Sequence, residues 1–162
     1  MTAFIALGSN LNNPYMQFKK ALESLVQLGH IVAKSSLYET VPVGGPEGQA
    51  SYLNAVIELE PFERYQEPVT LLKALLTIET LHGRERRVRW DARTLDLDLL
   101  AMGDRVCHTD FLSLPHPRMM QRAFVLVPLC EVAPQWQYPE TRVYPCEIKL
   151  DRSGITKTSL VW

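Results

Sequence analysis

Apolar and acidic residues alternate in one short stretch of the chain, which is its clearest structural signal. Leu95, Leu97 and Leu99 take turns with Asp96 and Asp98. Residues two apart share a face of a β-strand, so the pattern predicts a strand with leucines on one face and two carboxylates, about 6–7 Å apart, on the other. A helix would instead turn the two aspartates away from each other.

A second predicted strand, at residues 52–60, alternates in the same way. Its apolar face is formed by Leu53, Ala55, Ile57 and Leu59. Its other face is mixed and is formed by Tyr52, Asn54, Val56 and Glu58. Tyr52 and Asn54 therefore point away from the leucines. A tyrosine ring can stack on a flat heterocycle and an asparagine amide can bond to its polar edge, although both residues are also common on a half-exposed sheet face.

Two segments have the spacing of amphipathic helices. The first segment is marked by Phe18, Ala21, Leu22 and Leu25. It predicts a helix over residues 14–28 that is ended by Gly29. The second segment is marked by Leu71, Leu72, Leu75 and Ile78. It predicts a helix from Pro68 to near Gly83, on which Glu79 would ordinarily be solvated.

Shorter signals predict the remaining elements. Glycine, proline and short apolar runs mark turns and short strands, while a continuous apolar run marks a buried helix. These signals predict strands at 2–7 and 31–40, a capping turn at 8–10, a lid-like loop at 40–51, a turn at 103–104, a strand at 105–108, a buried helix at 125–132 and edge structure over 138–162.

The order strand, helix, strand, strand, helix, strand predicts an α+β fold. It is the plan of a ferredoxin-like split βαβ core, in which the helices lie on one face of an antiparallel sheet. The leucine faces of the two alternating strands should turn toward the helices. Tyr52, Asn54, Asp96 and Asp98 would then share the opposite face, which is where we expect the ligand site.

Composition and charge narrow the class of protein. The chain has 162 residues, of which 46% are hydrophobic and 22% charged, which suits a single domain over residues 1–162. A formal net charge of −1 argues against a dedicated nucleic-acid binder. The three cysteines, Cys107, Cys130 and Cys146, fit no close-spaced metal motif and are expected to be reduced thiols. With no signal-peptide or membrane-spanning pattern, we expect a cytoplasmic protein.

Basic charge is concentrated just before the two aspartates. The cluster consists of Arg84, Arg86, Arg87, Arg89 and Arg93, with Trp90 among them. One guanidinium group can bind two phosphate oxygens at once, and two carboxylates are suitable ligands for Mg²⁺. Together they indicate an enzyme that transfers a phosphoryl-type group from a nucleotide. Taken separately, the cluster could be a solvated basic loop or a nucleic-acid patch, and the aspartates a solvated strand face.

The same region resembles a known enzyme family. The run Gly83-Arg84-x-Arg86…Arg89-Trp90-x-x-Arg93-Thr94-Leu95-Asp96-Leu97-Asp98 is similar to the signature of the 6-hydroxymethyl-7,8-dihydropterin pyrophosphokinases, and further similarities follow along almost the whole chain. The resemblance implies the ferredoxin-like α+β fold and transfer of pyrophosphate from ATP to the hydroxymethyl group of a dihydropterin, with release of AMP, in folate biosynthesis.

The resemblance also implies roles for individual residues. Asp96 and Asp98 would hold two Mg²⁺ ions and, with Arg84 and Arg93, form the catalytic group. The implied nucleotide contacts are Glu79, Arg84, Arg86, Trp90, Arg93, Leu99, His116 and Arg122. The implied dihydropterin contacts are Thr40, Pro42, Val43, Tyr52, Asn54 and Phe124. Two departures from the family pattern are Val41, where proline is frequent, and Asp91-Ala92, in place of Gly-Pro.

The implied partners are therefore small molecules, ATP and a dihydropterin, with no nucleic acid or membrane. We expect a monomer. The alternative function is a ferredoxin-like module that binds a nucleotide as a sensor without turning it over. A small RNA-binding domain is disfavoured by the charge balance and by the missing aromatic pattern of RNA-recognition motifs.

Overall fold

The computed structural model describes residues 1–11, 13–41, 50–83 and 94–162. The strands in these ranges are β1 (Ala3–Ser9), β2 (Gly29–Lys34), β3 (Tyr38–Thr40), β4 (Tyr52–Pro61), β5 (Asp96–Met102), β6 (Cys107–His108), β7 (Ser113–Leu114) and β8 (Ile155–Lys157). The α-helices are α1 (Pro14–Leu25), α2 (Pro68–Leu81) and α3 (Ala123–Val132).

An antiparallel sheet organises the chain. Its strand order is β5-β1-β4-β3-β8, and β2 also pairs with β4. β1 is paired antiparallel with both β4 and β5, so the two alternating strands lie on either side of it. The ferredoxin-like α+β class is confirmed, and the small hairpin β6–β7 lies next to β5.

The predicted leucine faces form the main core. Side chains of β1, β4 and β5, among them Ile57 and Leu97, pack in one buried cluster with Phe18 of α1 and Leu75 of α2. These positions alternate along each strand, as the period of two requires. The two predicted helices therefore cover the same face of the sheet.

The third helix covers part of the other face. Val125 and Leu129 of α3 lie in a second buried cluster with Phe4 of β1 and Val56 of β4. The short buried helix predicted near residues 125–132 is therefore present, but it lies opposite α1 and α2. Helices thus occupy both faces of the sheet. The second face is open to a ligand only where α3 does not cover it.

Several predicted boundaries differ from the structure. β1 continues through Gly8 to Ser9, so the expected turn at 8–10 is absent, and the cap of α1 is Asn13, whose side chain accepts a hydrogen bond from the Met16 amide. α1 ends at Leu25, three residues early, because Gly29 already belongs to β2. At Gly29 a Cβ atom would lie only 2.1 Å from the carbonyl oxygen of Glu60, so this strand pairing requires glycine.

Two further strands are shorter than predicted. The single strand expected over 31–40 is divided into β2 and β3, which pair with successive parts of β4. The return strand expected over 105–108 is reduced to β6. The expectation for the region after residue 138 is confirmed, since β8 adds to the end of the sheet beside β3.

The expectation that all three cysteines are reduced is wrong for two of them. Cys130 and Cys146 form a disulfide with their Cα atoms 5.3 Å apart, whereas Cys107 is a free thiol. α3 packs on the short 3₁₀ turn Pro145–Glu147, which brings two cysteines separated by 16 residues into bonding range. Among the described residues, no helix is long and apolar enough to cross a membrane.

Candidate functional site

One row across the sheet brings the predicted site strands together. Gly8 of β1 is paired with Asp96 of β5 on one side and with Asn54 of β4 on the other. Because neighbouring strands are about 4.8 Å apart, the backbones of Asp96 and Asn54 are about 10 Å from each other. Gly8, which lies between them, has no side chain to fill this space. A Cβ atom at Gly8 would approach the Asn54 side-chain oxygen to 3.3 Å, so glycine leaves this oxygen room.

Asn54 is held by the neighbouring strand. Its amide nitrogen donates to the Thr40 hydroxyl at 2.7 Å, and both side chains are more than nine-tenths buried. Since the amide nitrogen faces Thr40, the amide oxygen faces Gly8. Tyr52, half-buried, is the β4 residue paired with Thr40. Three of the residues assigned to dihydropterin by resemblance therefore adjoin one another.

Asp98 faces cationic groups at the outer side of the sheet. Its carboxylate lies 4.0 Å from the Arg122 guanidinium group, and the two side chains are 43% and 29% exposed. The same guanidinium group lies 5.7 Å from the centre of the Phe124 ring. Phe124 is 38% exposed, so it is not the core residue that its type alone would suggest. Arg122 therefore lies between Asp98 and an available aromatic face.

His116 adds a polar group beside Asp98. Burial lowers the pKa of its imidazole, and Arg122 and Arg118 lower it further, while the negative charge of Asp98 opposes them. The ring is therefore mainly neutral at pH 7. Its Nδ1 accepts the backbone N–H of Arg118 at 3.2 Å, which leaves the proton on Nε2. A neutral histidine of this form can donate one hydrogen bond to an anion without adding charge.

Glu79 is buried in the core, contrary to the solvated position expected of a glutamate on this helix. It is only 2% exposed, and its carboxylate accepts the backbone N–H of Leu97 at 2.8 Å. Leu97 lies between Asp96 and Asp98, so the carboxylate on α2 fixes the strand backbone from which both aspartates project. A buried acceptor for one backbone amide is a strong positional constraint.

A cavity of about 350 Å³ opens along β5 and joins several of these residues. Four of the predicted site residues line it, namely Glu79, Asp98, Leu99 and His116. Leu72 and Leu76 of α2 supply an apolar wall, and residues 109–113 of the β6–β7 hairpin supply the other side. Volume and mixed lining suit a small organic ligand with a charged end.

The sequence did not predict this apolar wall or the hairpin side of the cavity. A signal was present for the wall: Leu72 and Leu76 form a second apolar row on α2, next to the row that fills the core, and Leu76 stays 39% exposed. No comparable signal marks residues 109–113, since their position depends on the hairpin that places them beside α2.

Six predicted site residues lie outside the described residues. They are Pro42, Val43, Arg84, Arg86, Trp90 and Arg93. Their assignments therefore remain predictions from the resemblance.

Asp96 and Asp98 form an oxygen donor set of the kind that Mg²⁺ prefers. Asp96 and Asp98 are on the same face of β5, both half-buried. In the described ranges no group of three or more histidine, cysteine, aspartate or glutamate residues could hold a metal ion. A pair of carboxylates matches the usual coordination of Mg²⁺, which is typically held by one or two carboxylates and completed by water and substrate phosphates. The residues therefore fit this ion.

Comparisons with known proteins agree with this geometry. A family model for 7,8-dihydro-6-hydroxymethylpterin-pyrophosphokinase (HPPK) matches residues 4–134. The chain is 43% identical over 145 residues to the 2-amino-4-hydroxy-6-hydroxymethyldihydropteridine pyrophosphokinase of Haemophilus influenzae, with 88% of each chain covered. It is 42% identical over 139 residues to the protein of that name from Bacillus subtilis, covering 82% of this chain and 78% of the relative.

Solved structures show the same fold. The wild-type HPPK-DHPS protein of Plasmodium falciparum superposes with a TM-score of 0.71 at 17% sequence identity. The match covers 90% of this chain and 43% of the Plasmodium chain, so this chain spans less than half of that protein. On the family model and the curated relatives together, the chain belongs to the 7,8-dihydro-6-hydroxymethylpterin-pyrophosphokinase family.

Proposed function

We infer that this chain is a 2-amino-4-hydroxy-6-hydroxymethyldihydropteridine pyrophosphokinase. It transfers pyrophosphate from ATP to the hydroxymethyl group of 6-hydroxymethyl-7,8-dihydropterin, with release of AMP, in folate biosynthesis. The observation that carries this inference is the position of the aspartates. Asp96 and Asp98 lie between a cavity at the outer side of β5 and the Thr40–Asn54 pair on the inner side of the same sheet face.

The cavity along β5 is the proposed nucleoside site. Leu72 and Leu76 offer an apolar surface to a base, while His116 lines the same cavity and the Arg122 guanidinium group lies 4.0 Å from the Asp98 carboxylate. A planar guanidinium group can hold two phosphate oxygens at once. A nucleotide bound with its base in the cavity would therefore extend its triphosphate across Asp98.

The Thr40–Asn54 pair is the proposed site of the dihydropterin. Asn54 presents an amide whose orientation is set by Thr40, which suits the donor and acceptor edge of a pterin. Tyr52 and Phe124 supply aromatic faces for the flat ring system. Pro42 and Val43 are proposed here on the resemblance alone.

Asp96 and Asp98 are the proposed carboxylate ligands of two Mg²⁺ ions. When bound, Mg²⁺ neutralises triphosphate charge and lowers the pKa of a hydroxyl group that it contacts. Glu79 holds the backbone between the two carboxylates, which keeps their separation constant. Arg122 and the Nε2–H of His116 would stabilise negative charge that develops on the phosphate oxygens. By resemblance, Arg84 and Arg93 contribute in the same way, and Arg86 and Trp90 contact the nucleotide.

The remaining properties are also proposals. Because the site takes ATP, a cytoplasmic location is favoured, although the disulfide removes the support expected from reduced cysteines. The absence of nucleic-acid partners rests on the near-neutral net charge of −1 and on the lack of a basic excess. A monomeric state is proposed as well.

The identity of the nucleotide product tests the function. Purified protein with Mg²⁺, ATP and 6-hydroxymethyl-7,8-dihydropterin should form AMP and a pyrophosphorylated pterin in equal amounts, measured by chromatography. Attack at the β-phosphorus breaks the bond to the α-phosphate, so α,β-methylene ATP should give no product, whereas β,γ-methylene ATP keeps a cleavable bond. Stoichiometric ADP would contradict the inference. Nucleotide binding without pterin-dependent turnover would instead support the sensor alternative.

A further inference from the structure

Residues 154–158 form the outer neighbour of β3. Thr40 is paired with Ile155, and the ladder continues from the Val41 amide, which donates to Gly154 at 3.1 Å, to the Thr158 amide, which donates to Leu37 at 2.9 Å. β3 has only three residues, Tyr38–Thr40. A strand this short depends on both neighbours, β4 and β8, for its position.

The end of this segment is anchored far from β3. The indole N–H of Trp162 donates to the Ser35 carbonyl oxygen at 2.8 Å, and its ring lies 5.5 Å from the Phe18 ring of α1. The Tyr15 hydroxyl donates to the carbonyl oxygen of Val161. Ser35 is itself bonded to Val56 of β4 in both directions, each at 2.9 Å. The segment is therefore fastened to α1 and to the centre of the sheet.

The paired residues of β3 and β8 face the substrate side of the sheet. Tyr38 and Lys157 are paired, and both reach Glu131 on α3, at 2.9 Å and 3.8 Å, which identifies the face that they share with α3. Thr40 and Ile155 are two positions along and so lie on the same face. Their Cβ atoms are about 5 Å apart as direct cross-strand neighbours. Ile155 thus lies beside the hydroxyl that orients Asn54.

We propose that β8, anchored by Trp162, is a positioning element for the dihydropterin half of the site. It holds Thr40 in place, and Thr40 fixes the amide of Asn54. This inference rests on the proposed function, since it assumes that Asn54 binds the dihydropterin. The segment lies beyond residues 4–134, the part of the chain that the family model matches.

The effect should be confined to one substrate. β8 and β5 are at opposite ends of the sheet order, separated by β1, β4 and β3. The nucleoside cavity borders β5 and receives no residue from β3 or β8. Loosening β8 should therefore weaken dihydropterin binding and leave nucleotide binding unchanged.

A matched pair of proline variants tests the ladder directly. In an antiparallel pair, hydrogen-bonded positions alternate, so the bonds at Thr158 and Gly154 place the Thr156 N–H toward β3 and the Lys157 N–H away from it. Thr156→Pro removes a ladder bond. Lys157→Pro removes an outward N–H, which an edge strand tolerates, and an exposed ion pair of little weight.

For Thr156→Pro we expect the KM for dihydropterin to rise about tenfold or more, with kcat and the KM for ATP within about twofold of the wild-type values. Lys157→Pro should stay within about threefold in all three constants. A structural defect alone would lower the active fraction and kcat in both variants without separating the two substrates. Equal KM values for dihydropterin in wild type and Thr156→Pro would overturn the proposal.

A second matched pair tests the anchor if Thr156→Pro does not fold. Trp162→Phe removes the indole bond to Ser35, and Trp136→Phe removes the same kind of bond, 3.0 Å to the Gly103 carbonyl oxygen, at the β5 end of the molecule. The Kd for dihydropterin, measured by calorimetry with α,β-methylene ATP present, should rise in Trp162→Phe only. An equal rise in both variants, or none in either, would contradict the proposal.

Binding is measured without turnover, so the two inferences fail separately. Wild-type protein that binds dihydropterin but forms no AMP would contradict the proposed reaction. Wild-type protein that forms AMP, together with variants whose dihydropterin KM and Kd are unchanged, would contradict only the role of β8.

Discussion

One face of the central sheet has an apolar half and a polar half, and the same strands form both. In the apolar half, Val56 of β4 and Leu100 of β5 are buried beneath α3. The polar half contains Asn54, two residues before Val56 in β4, and Asp96, four residues before Leu100 in β5. The alternation of side chains along a strand therefore places buried apolar residues and candidate site residues on one face. The helix α3, which begins at Ala123, covers the apolar half of that face.

The two halves should differ in what a substitution changes. Burial of apolar side chains contributes about 25 cal/mol for each Å² removed from water, so the apolar half stabilises the fold. Two carboxylates on one face repel each other, and the partly exposed ion pair of Asp98 with Arg122 offsets this repulsion, so the polar half adds little to the stability of the fold. Polar-half variants should therefore lose activity and keep stability, whereas variants of buried apolar residues should do the opposite.

Removal of either aspartate should have the largest effect. We expect Asp96→Ala or Asp98→Ala to lower kcat/KM by at least about 100-fold, or about 3 kcal/mol, as does the loss of another group that stabilises transition-state charge. The free energy of unfolding should change by less than about 1 kcal/mol, because relief of the repulsion between carboxylates and loss of the weak, partly exposed ion pair with Arg122 oppose each other. Steady-state kinetics at saturating Mg²⁺ and urea unfolding measure the two quantities.

Asp104→Ala is the matched control, since Asp104 is an exposed carboxylate in the turn after β5. Its kinetics should equal those of the wild type. Undiminished Mg²⁺-dependent turnover in Asp96→Ala or Asp98→Ala would reject the proposed metal ligands.

Truncation of a core side chain on β4 should give the reverse result. Ile57 is fully buried, on the strand face that α1 and α2 cover. Ile57→Ala should lower the free energy of unfolding by about 3 kcal/mol through lost burial and a residual cavity. The kcat/KM of each folded molecule should stay within about twofold of the wild-type value. A hundredfold loss of kcat/KM without loss of stability would abolish the distinction between the two faces.

Glu131 connects α3 to Ser36 and to Tyr38 of β3. Its substitution should have the smallest effect of the three. Its carboxylate on α3 accepts hydrogen bonds from the Ser36 amide and hydroxyl, at 2.8 and 2.7 Å, and from the Tyr38 hydroxyl at 2.9 Å. Burial acts to raise the pKa of Glu131, but these bonds and the positive charge of Lys157 outweigh it and lower the pKa below 4.5. The pKa of Tyr38 is raised to about 12, chiefly by burial and then by Glu131.

Glu131→Gln should therefore cost about 1–2 kcal/mol of unfolding free energy at pH 7. A lowered carboxyl pKa stabilises the fold fully above the unfolded-state value of 4.5, and the contribution is lost as the pH falls through the folded-state pKa. The difference between wild type and variant should thus shrink below pH 4.5 in urea titrations. Glu23→Gln, which changes an exposed carboxylate of α1, should show no such pH dependence. A difference that stays constant down to pH 3 would contradict the role of the carboxylate.

The sequence was sufficient for the elements whose pattern is periodic. The alternation around Asp96 and Asn54 predicted both strands and the face that they share, because a period of two leaves little freedom. The ferredoxin-like order followed from the elements in sequence. Of the described site residues, Thr40 and Asn54 are in contact, and Asp98 lies near His116 and Arg122.

Tertiary contacts decide the features that the sequence did not predict. Gly8 looked like a turn residue, yet β1 extends through it because partners exist on both sides. Glu79 on α2 looked solvated, yet the backbone amide of Leu97 in β5 gives it a buried partner. The pairing of Cys130 with Cys146 depends on how α3 packs on a distant turn, and 16 residues of separation give no indication of it.

The hydrogen bond from the Leu97 amide to the Glu79 carboxylate links α2 to the strand backbone between the two aspartates. Leu76, one helical turn before Glu79, belongs to the wall of the cavity along β5, the proposed nucleoside site. A ligand that displaced this wall would be expected to shift the carboxylate that holds the Leu97 amide, and with it the backbone between Asp96 and Asp98. We therefore expect occupancy of the cavity to change the separation of the two carboxylates, by way of about 5 Å of one helix.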